Sequence, residues 1–256
     1  MPNDRRNFLA LASATVASYL LPAATTEFYA KPTRIRAIAF DALAIFDTRP
    51  VFTLAEKLFP GKGAELSSEW RARQFEYCWL RVVSRRYVDF WQVTNDSLSY
   101  AAAKVGMAIS TDQRTELMDA YLRLQPWPDV KDVLIQLKQE RYRLAFLSNF
   151  TPQMLNGCIR TSRLDEIFEH ALSTDEARTF KPDPRAYQLA MDAMKLQKEE
   201  ILFVAFAGWD AVGAKAFGYP TFWLNRLNLP HEELGSSPDA VGSGFPDLLH
   251  YLSTQR

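Results

Sequence analysis

One strand-like segment stands alone near the head of this chain, separated from every later one by about 75 residues that read only as helix. Residues 34–40 (Arg-Ile-Arg-Ala-Ile-Ala-Phe) alternate charged and apolar, then turn continuously apolar. That pattern suits a strand entering a sheet covered on both faces. If the strand joins the later ones in one sheet, the helical stretch must loop out as a separate cap. Three helices are expected in it: one from an N-cap at Ser67-Ser68-Glu69 through Val83, one over 94–105 stopped by Gly106, and one over 112–124.

From Trp127 onward, strands and helices alternate. Val130, Val133, Leu134 and Leu137 form the i, i+3, i+4, i+7 stripe of a surface helix. Strands are predicted over 142–147, 201–206 and 221–224, and helices over 152–160, 184–194 and 211–217. Alternation of this kind builds a parallel sheet. The expected class is α/β: a Rossmann-like parallel sheet core with helices on both faces and an inserted all-helical cap. The core takes residues 31–49 and 127–256, and the cap 50–126.

Residues 1–30 stand apart. Arg5-Arg6 is followed by Phe8-Leu9 and an apolar, small-residue run of about fifteen residues, short for a membrane span. This matches a twin-arginine export signal, a route that carries folded proteins. The expectation is periplasmic localisation with the twin-arginine export machinery as a partner. Pro22-Ala23-Ala24 is only a loose cleavage site, so an uncleaved membrane anchor is the alternative.

Charge and metal-type residues narrow the function. The formal net charge is zero, which gives no global attraction for nucleic acid or anionic membranes. His170, His231 and His250 fall in no HxH or HExxH spacing, and Cys78 and Cys158 fall in no metal spacing.

Four short segments are expected at strand ends, in this order: Phe40-Asp41-Ala42-Leu43, Leu147-Ser148-Asn149, Phe180-Lys181-Pro182-Asp183 and Gly208-Trp209-Asp210. Strand tips of one parallel sheet converge at its carboxyl edge, where ligands bind. A carboxylate, a hydroxyl, an ammonium and a second carboxylate would meet there. A lysine beside Asp41 favours its ionised, nucleophilic form. An isolated Asp at a strand end is more often a helix cap or turn residue, so the order of all four segments carries the inference. In the cap, Arg71, Phe75 and Cys78 share a helix face, placing a cation among apolar groups.

These segments, with PGKGAELSSEWRARQFEYCWLR, RRYVDFW, KPDPRAY and WDAVGAKAFGYPTFWLNR, resemble the haloacid dehalogenase superfamily, and within it the type II L-2-haloacid dehalogenases. The likeness runs from about Arg34 to Leu249. It implies a metal- and cofactor-independent hydrolase of short (S)-2-haloacids that gives the inverted 2-hydroxy acid and halide. By the resemblance, Asp41 is the nucleophile that carries an ester intermediate, and Arg71, Asn149 and Phe90 cradle the halide. Ser148 holds the substrate carboxylate, Lys181 pairs with the nucleophile, and Tyr187 lies near it. Asp210 positions Lys181 and the hydrolytic water, and Trp209 and Phe75 line the pocket. The family is often homodimeric, though no interface is legible in the sequence.

The chain departs from the family pattern in two places. The loop after Asp41 (Ala42-Leu43-Ala44-Ile45-Phe46-Asp47) is one residue short and lacks the family's Tyr, Gly and Thr. In the fourth segment, Ala205 and Ala207 replace a Ser and an Asn, and Phe206 replaces a smaller Ser. These losses fall on ester hydrolysis, and they support the alternative of a catalytically impaired protein that binds a small carboxylate. A magnesium-dependent phosphatase would need an acid where Leu43 stands.

Overall fold

The computed structural model describes residues 34–255; the twin-arginine segment, residues 1–30, lies outside them. The first strand, β1 (Ala37–Phe40), is followed by a one-turn helix, α1 (Ala42–Ile45), and a short strand, β2 (Phe46–Asp47). Four helices come next: α2 (Arg49–Leu58), α3 (Gly63–Val83), α4 (Phe90–Lys104) and α5 (Thr111–Ala120). Strand β3 (Gln125–Pro126) pairs antiparallel with β2, so the two ends of the helical excursion are tied together.

The remainder alternates as expected: α6 (Val130–Gln139), β4 (Arg143–Ser148), α7 (Pro152–Ser162), β5 (His170–Ser173), α8 (Pro184–Met194), β6 (Ile201–Ala205), α9 (Gly208–Phe217), β7 (Thr221–Leu224), β8 (Ala240–Gly242) and α10 (Phe245–Thr254). The strands form one parallel sheet in the order β5-β4-β1-β6-β7-β8. From β1 the chain builds outward to β4 and β5, then returns to lay β6 on the other side. That reversal is the topological switch point, and a crevice opens at the carboxyl ends of the strands beside it.

Period-2 geometry explains why β1 reads as continuously apolar. Ile38 and Phe40 pack on one face with Leu144, Phe146 and Val204, above α6, α7 and α10. Ala37 and Ala39 pack on the other with Leu147, Phe203 and the buried sides of α8 and α9. The stripe Val130, Val133, Leu134 and Leu137 is buried.

Several helix starts differ from expectation. α3 begins at Gly63, not after Ser67, because its end is capped from outside. The Glu56 carboxylate on α2 accepts from the backbone N–H groups of Gly61 (2.6 Å) and Ala64 (3.0 Å). A Cβ on Gly63 would lie 2.2 Å from the Glu56 backbone, so only glycine permits this crossing. α4 begins at Phe90, where Asp89 caps it by accepting from Gln92 N–H at 2.8 Å. Thr94 sits inside that helix and accepts from Gln74 Nε2 at 2.7 Å, locking α4 to α3. α5 starts in a Ser110–Gln113 capping box. α9 starts at Gly208, which places Trp209 and Asp210 in its first turn instead of in a loop. No helix among the described residues is long and apolar enough to cross a membrane.

Candidate active site

Asp41 stands at the tip of β1 and is the N-cap of α1. Its backbone N–H still donates to Val204 O across the sheet (3.0 Å), which fixes the Cα, while the side chain turns into the crevice. Leu43 N–H donates to Asp41 Oδ2 at 3.0 Å, and Lys181 Nζ donates to Oδ1 at 2.8 Å. The shortened loop therefore still holds the carboxylate, through one backbone donor and one ammonium. No side-chain hydroxyl among the described residues takes the place of the missing Thr beside the Asp41 carboxylate.

Lys181 also donates to Asp210 Oδ2 at 2.6 Å, and Tyr187 Oη donates to Asp210 Oδ1 at 2.8 Å. Lys181 is 1% exposed, so the triad of two carboxylates and one ammonium is shielded from water. Burial opposes charge on Lys181, but Asp210 and then Asp41 outweigh it, and its pKa is raised. Asp210 is pushed up to about 6, chiefly by burial, with Lys181 pulling it down and Asp41 pushing it up. Burial and then the charge of Asp210 raise the Tyr187 phenol well above its ordinary range, so it is a donor at neutral pH.

Further support comes from the backbone. Asn149 Oδ1 accepts from Lys181 N–H (2.9 Å) and from Thr174 Oγ1 (3.2 Å). With its oxygen engaged, Asn149 has only amide hydrogens left to offer, and these suit an anion. Ser148 Oγ accepts from Phe150 N–H at 3.1 Å, which leaves its own proton free to donate.

Asp41, Phe75, Phe90, Ser148, Asn149, Trp209 and Asp210 surround one small cavity of about 20 Å³. Lys181 and Tyr187 lie behind it, reaching it through the two carboxylates. Arg71 is placed differently. It lines a larger neighbouring cavity of about 590 Å³, which shares Phe75, Ala207 and Trp209 with the first. Its guanidinium lies over the Phe206 ring, 5.9 Å from the centroid, and burial lowers its pKa. It forms no ion pair among the described residues. Arg71 and Phe75 thus look into the cleft, while Cys78, the third residue of that face, is fully buried in the apolar core.

Sequence reasoning missed two site residues. Phe150 closes the small cavity and stacks on Phe90 at 5.7 Å; its position directly after Ser148-Asn149 was the available signal. Phe206 forms the floor under Arg71 and stacks on Trp127 at 6.2 Å. Its size marked it as a departure, but nothing in the sequence paired it with a residue of the cap.

The model of the haloacid dehalogenase-like hydrolases matches residues 35–218. The chain belongs to that family. The (S)-2-haloacid dehalogenase of Pseudomonas sp. (strain YL) is 43% identical over 206 residues, 80% of this chain and 89% of that protein. A crystallised L-2-haloacid dehalogenase superposes with a TM-score of 0.85 at 41% identity, covering 86% of this chain and 100% of that one. A second, from Xanthobacter autotrophicus with chloropropionic acid covalently bound, gives 0.80 at 31% identity, covering 86% and 98%. This haloacid dehalogenase-like hydrolase therefore has an Asp at its strand tip within the fold shared by dehalogenases. Its two buried carboxylates, Asp41 and Asp210, are bridged by the Lys181 ammonium.

Proposed function

We propose that this chain hydrolyses (S)-2-haloacids through an ester on Asp41, and the observation that carries the proposal is how that carboxylate is held. One oxygen is pinned by Lys181 and the other by the Leu43 N–H, in a cavity walled by Phe75, Phe90, Phe150 and Trp209. A fixed, poorly hydrated carboxylate is a better nucleophile than a mobile one in water.

An Asp41 oxygen attacks C2, the carbon–halogen bond breaks, and the halide leaves with the bonding electrons, inverting C2. The substrate carboxylate accepts from Ser148 Oγ, and the Asn149 amide faces the departing halide. Arg71, desolvated and without a carboxylate partner, receives the halide. Water then attacks Cγ of the ester, which restores Asp41, frees the 2-hydroxy acid and releases one proton. Lys181 stabilises the Asp41 carboxylate before attack and after ester hydrolysis, and Asp210 with Tyr187 keeps Lys181 in place.

The impaired-turnover alternative draws on Ala205 and Ala207, which offer no side-chain donor or acceptor to the attacking water. Halide release from both enantiomers of 2-chloropropionate, with EDTA present, tests the proposal. The (S)-enantiomer should react with the wild type and not with Asp41→Asn. Release by Asp41→Asn, or a requirement for Mg²⁺, would overturn it. A burst of halide matching the enzyme concentration and then stopping would favour the alternative.

We also propose that residues 1–30 direct twin-arginine export to the periplasm, on the strength of Arg5-Arg6, Phe8-Leu9 and the apolar run. Replacing both arginines with lysine should retain the protein in the cytoplasm; unchanged fractionation would refute this. A homodimer is proposed as the assembly, and a monomer mass by light scattering would refute it.

A further inference from the structure

The cavity at Asp41 is too small for a whole substrate. About 20 Å³ is room for one water. The adjoining cavity of about 590 Å³ falls in the range of roughly 300–1,000 Å³ typical for drug-sized ligands, far more than a short haloacid fills. Apart from Phe75 and Trp209, its apolar wall comes from Phe52, Phe206, Leu227 and Leu229. Leu227 and Leu229 are 44% and 49% exposed, so they offer apolar surface to a ligand in this cavity.

The two cavities share Phe75, Ala207 and Trp209 in their walls. With C2 at Asp41, the carboxylate at Ser148 and the halide directed at Arg71, the C2 substituent follows the shared wall of Phe75, Ala207 and Trp209 into the larger cavity. A longer side chain at 207 would narrow that passage. The family's Asn is absent here, and the Ala that weakens water positioning also opens the route.

We propose that the preferred substrate is a 2-haloacid with a large apolar substituent at C2, an alkyl chain of about four or more carbons or a benzyl group, seated in the larger cavity. This rests on the dehalogenase reading and adds the substrate class to it. Tail burial is the same in the ground and transition states, so its benefit falls mainly on KM.

The test is halide release from (S)-2-bromopropionate, (S)-2-bromohexanoate and (S)-2-bromo-3-phenylpropionate by the full chain. Each buried methylene should raise kcat/KM roughly two- to fourfold, so the hexanoate should exceed the propionate by about tenfold or more, chiefly through KM. Two variants confined to the larger cavity, Ala72→Trp and Leu229→Asp, should cut the hexanoate-to-propionate ratio by about fivefold or more. Both positions are exposed, so either variant should fold. Equal or falling kcat/KM along the series, or a ratio unmoved by both variants, overturns the inference and leaves the dehalogenase reading standing. No halide from any of the three overturns both.

Discussion

Lys181→Met should destabilise this protein strongly, and in a pH-dependent way. The ammonium lies 2.8 Å from Asp41 Oδ1 and 2.6 Å from Asp210 Oδ2, and all three groups are buried. Removing one member of a buried charge network leaves the others unpaired, which costs roughly 3–5 kcal/mol. For a domain of this size that corresponds to a fall in Tm on the order of 6–20 °C. The methionine nearly matches the lysine in volume, so cavity formation adds little. In the wild type, Asp210 sits near 6, above the unfolded value of about 4. A raised folded pKa means stability is fully present below the unfolded value and is lost as pH rises through the folded one. Without the ammonium that folded pKa climbs further, because burial and Asp41 are then opposed only by the Tyr187 hydrogen bond. Above about pH 6 the variant keeps losing stability with rising pH where the wild type has levelled off, so the deficit should be larger at about pH 8 than at about pH 5.5. Urea denaturation at both pH values measures it. A deficit under about 1 kcal/mol, or one equal at both pH values, would refute the account of the triad as a shielded charge network.

Activity should show an acid limb near pH 6, where Asp210 protonates and releases its hold on Lys181; Asp210→Asn should remove the limb along with most of the rate, whereas a limb near 4 would point to another group. Ala207→Asn should stabilise the protein by about 1 kcal/mol, because Ala207 is the N-cap of α9 in extended conformation with no side-chain cap, and it should speed ester hydrolysis; an unchanged urea midpoint would contradict the first part. Gly213→Ala should destabilise by about 1–3 kcal/mol and slow turnover, since its Cβ would lie 2.6 Å from both Pro182 Cβ and Tyr187 Oη; wild-type Tm and rate would show that the contact is easily relieved.

The strands and helices of the core were legible because their burial follows simple periods. α8 and β7 occupy the ranges expected from the sequence, as does the buried stripe of α6. Helix starts in the cap were less legible because long-range partners supply them. Glu56 caps α3 across a turn, and Thr94 looks like a cap residue but is a buried tie to Gln74. β2 and β3 are two residues each, too short for any period to show. At the site, the order of the four segments predicted that Asp41, Ser148, Lys181 and Asp210 would gather; Asp41 and Ser148 stand at strand tips, but Lys181 lies in the loop between β5 and α8 and Asp210 in the first turn of α9. Arg71 beside Phe206, and the division of the cleft into a small and a large cavity, depend on how the cap leans on the core, which no local pattern encodes.

The central claim is that the Asp41 carboxylate becomes covalently bonded to C2. Reaction with (S)-2-chloropropionate in H₂¹⁸O at enzyme excess, followed by proteolysis and mass spectrometry, tests it most directly. The peptide containing Asp41 should carry either the propionate ester or, where hydrolysis has completed, one ¹⁸O atom, and the first lactate released should be unlabelled at its hydroxyl. Release of halide with ¹⁸O in the lactate hydroxyl and an unmodified, unlabelled Asp41 peptide would show direct attack by water and contradict the account.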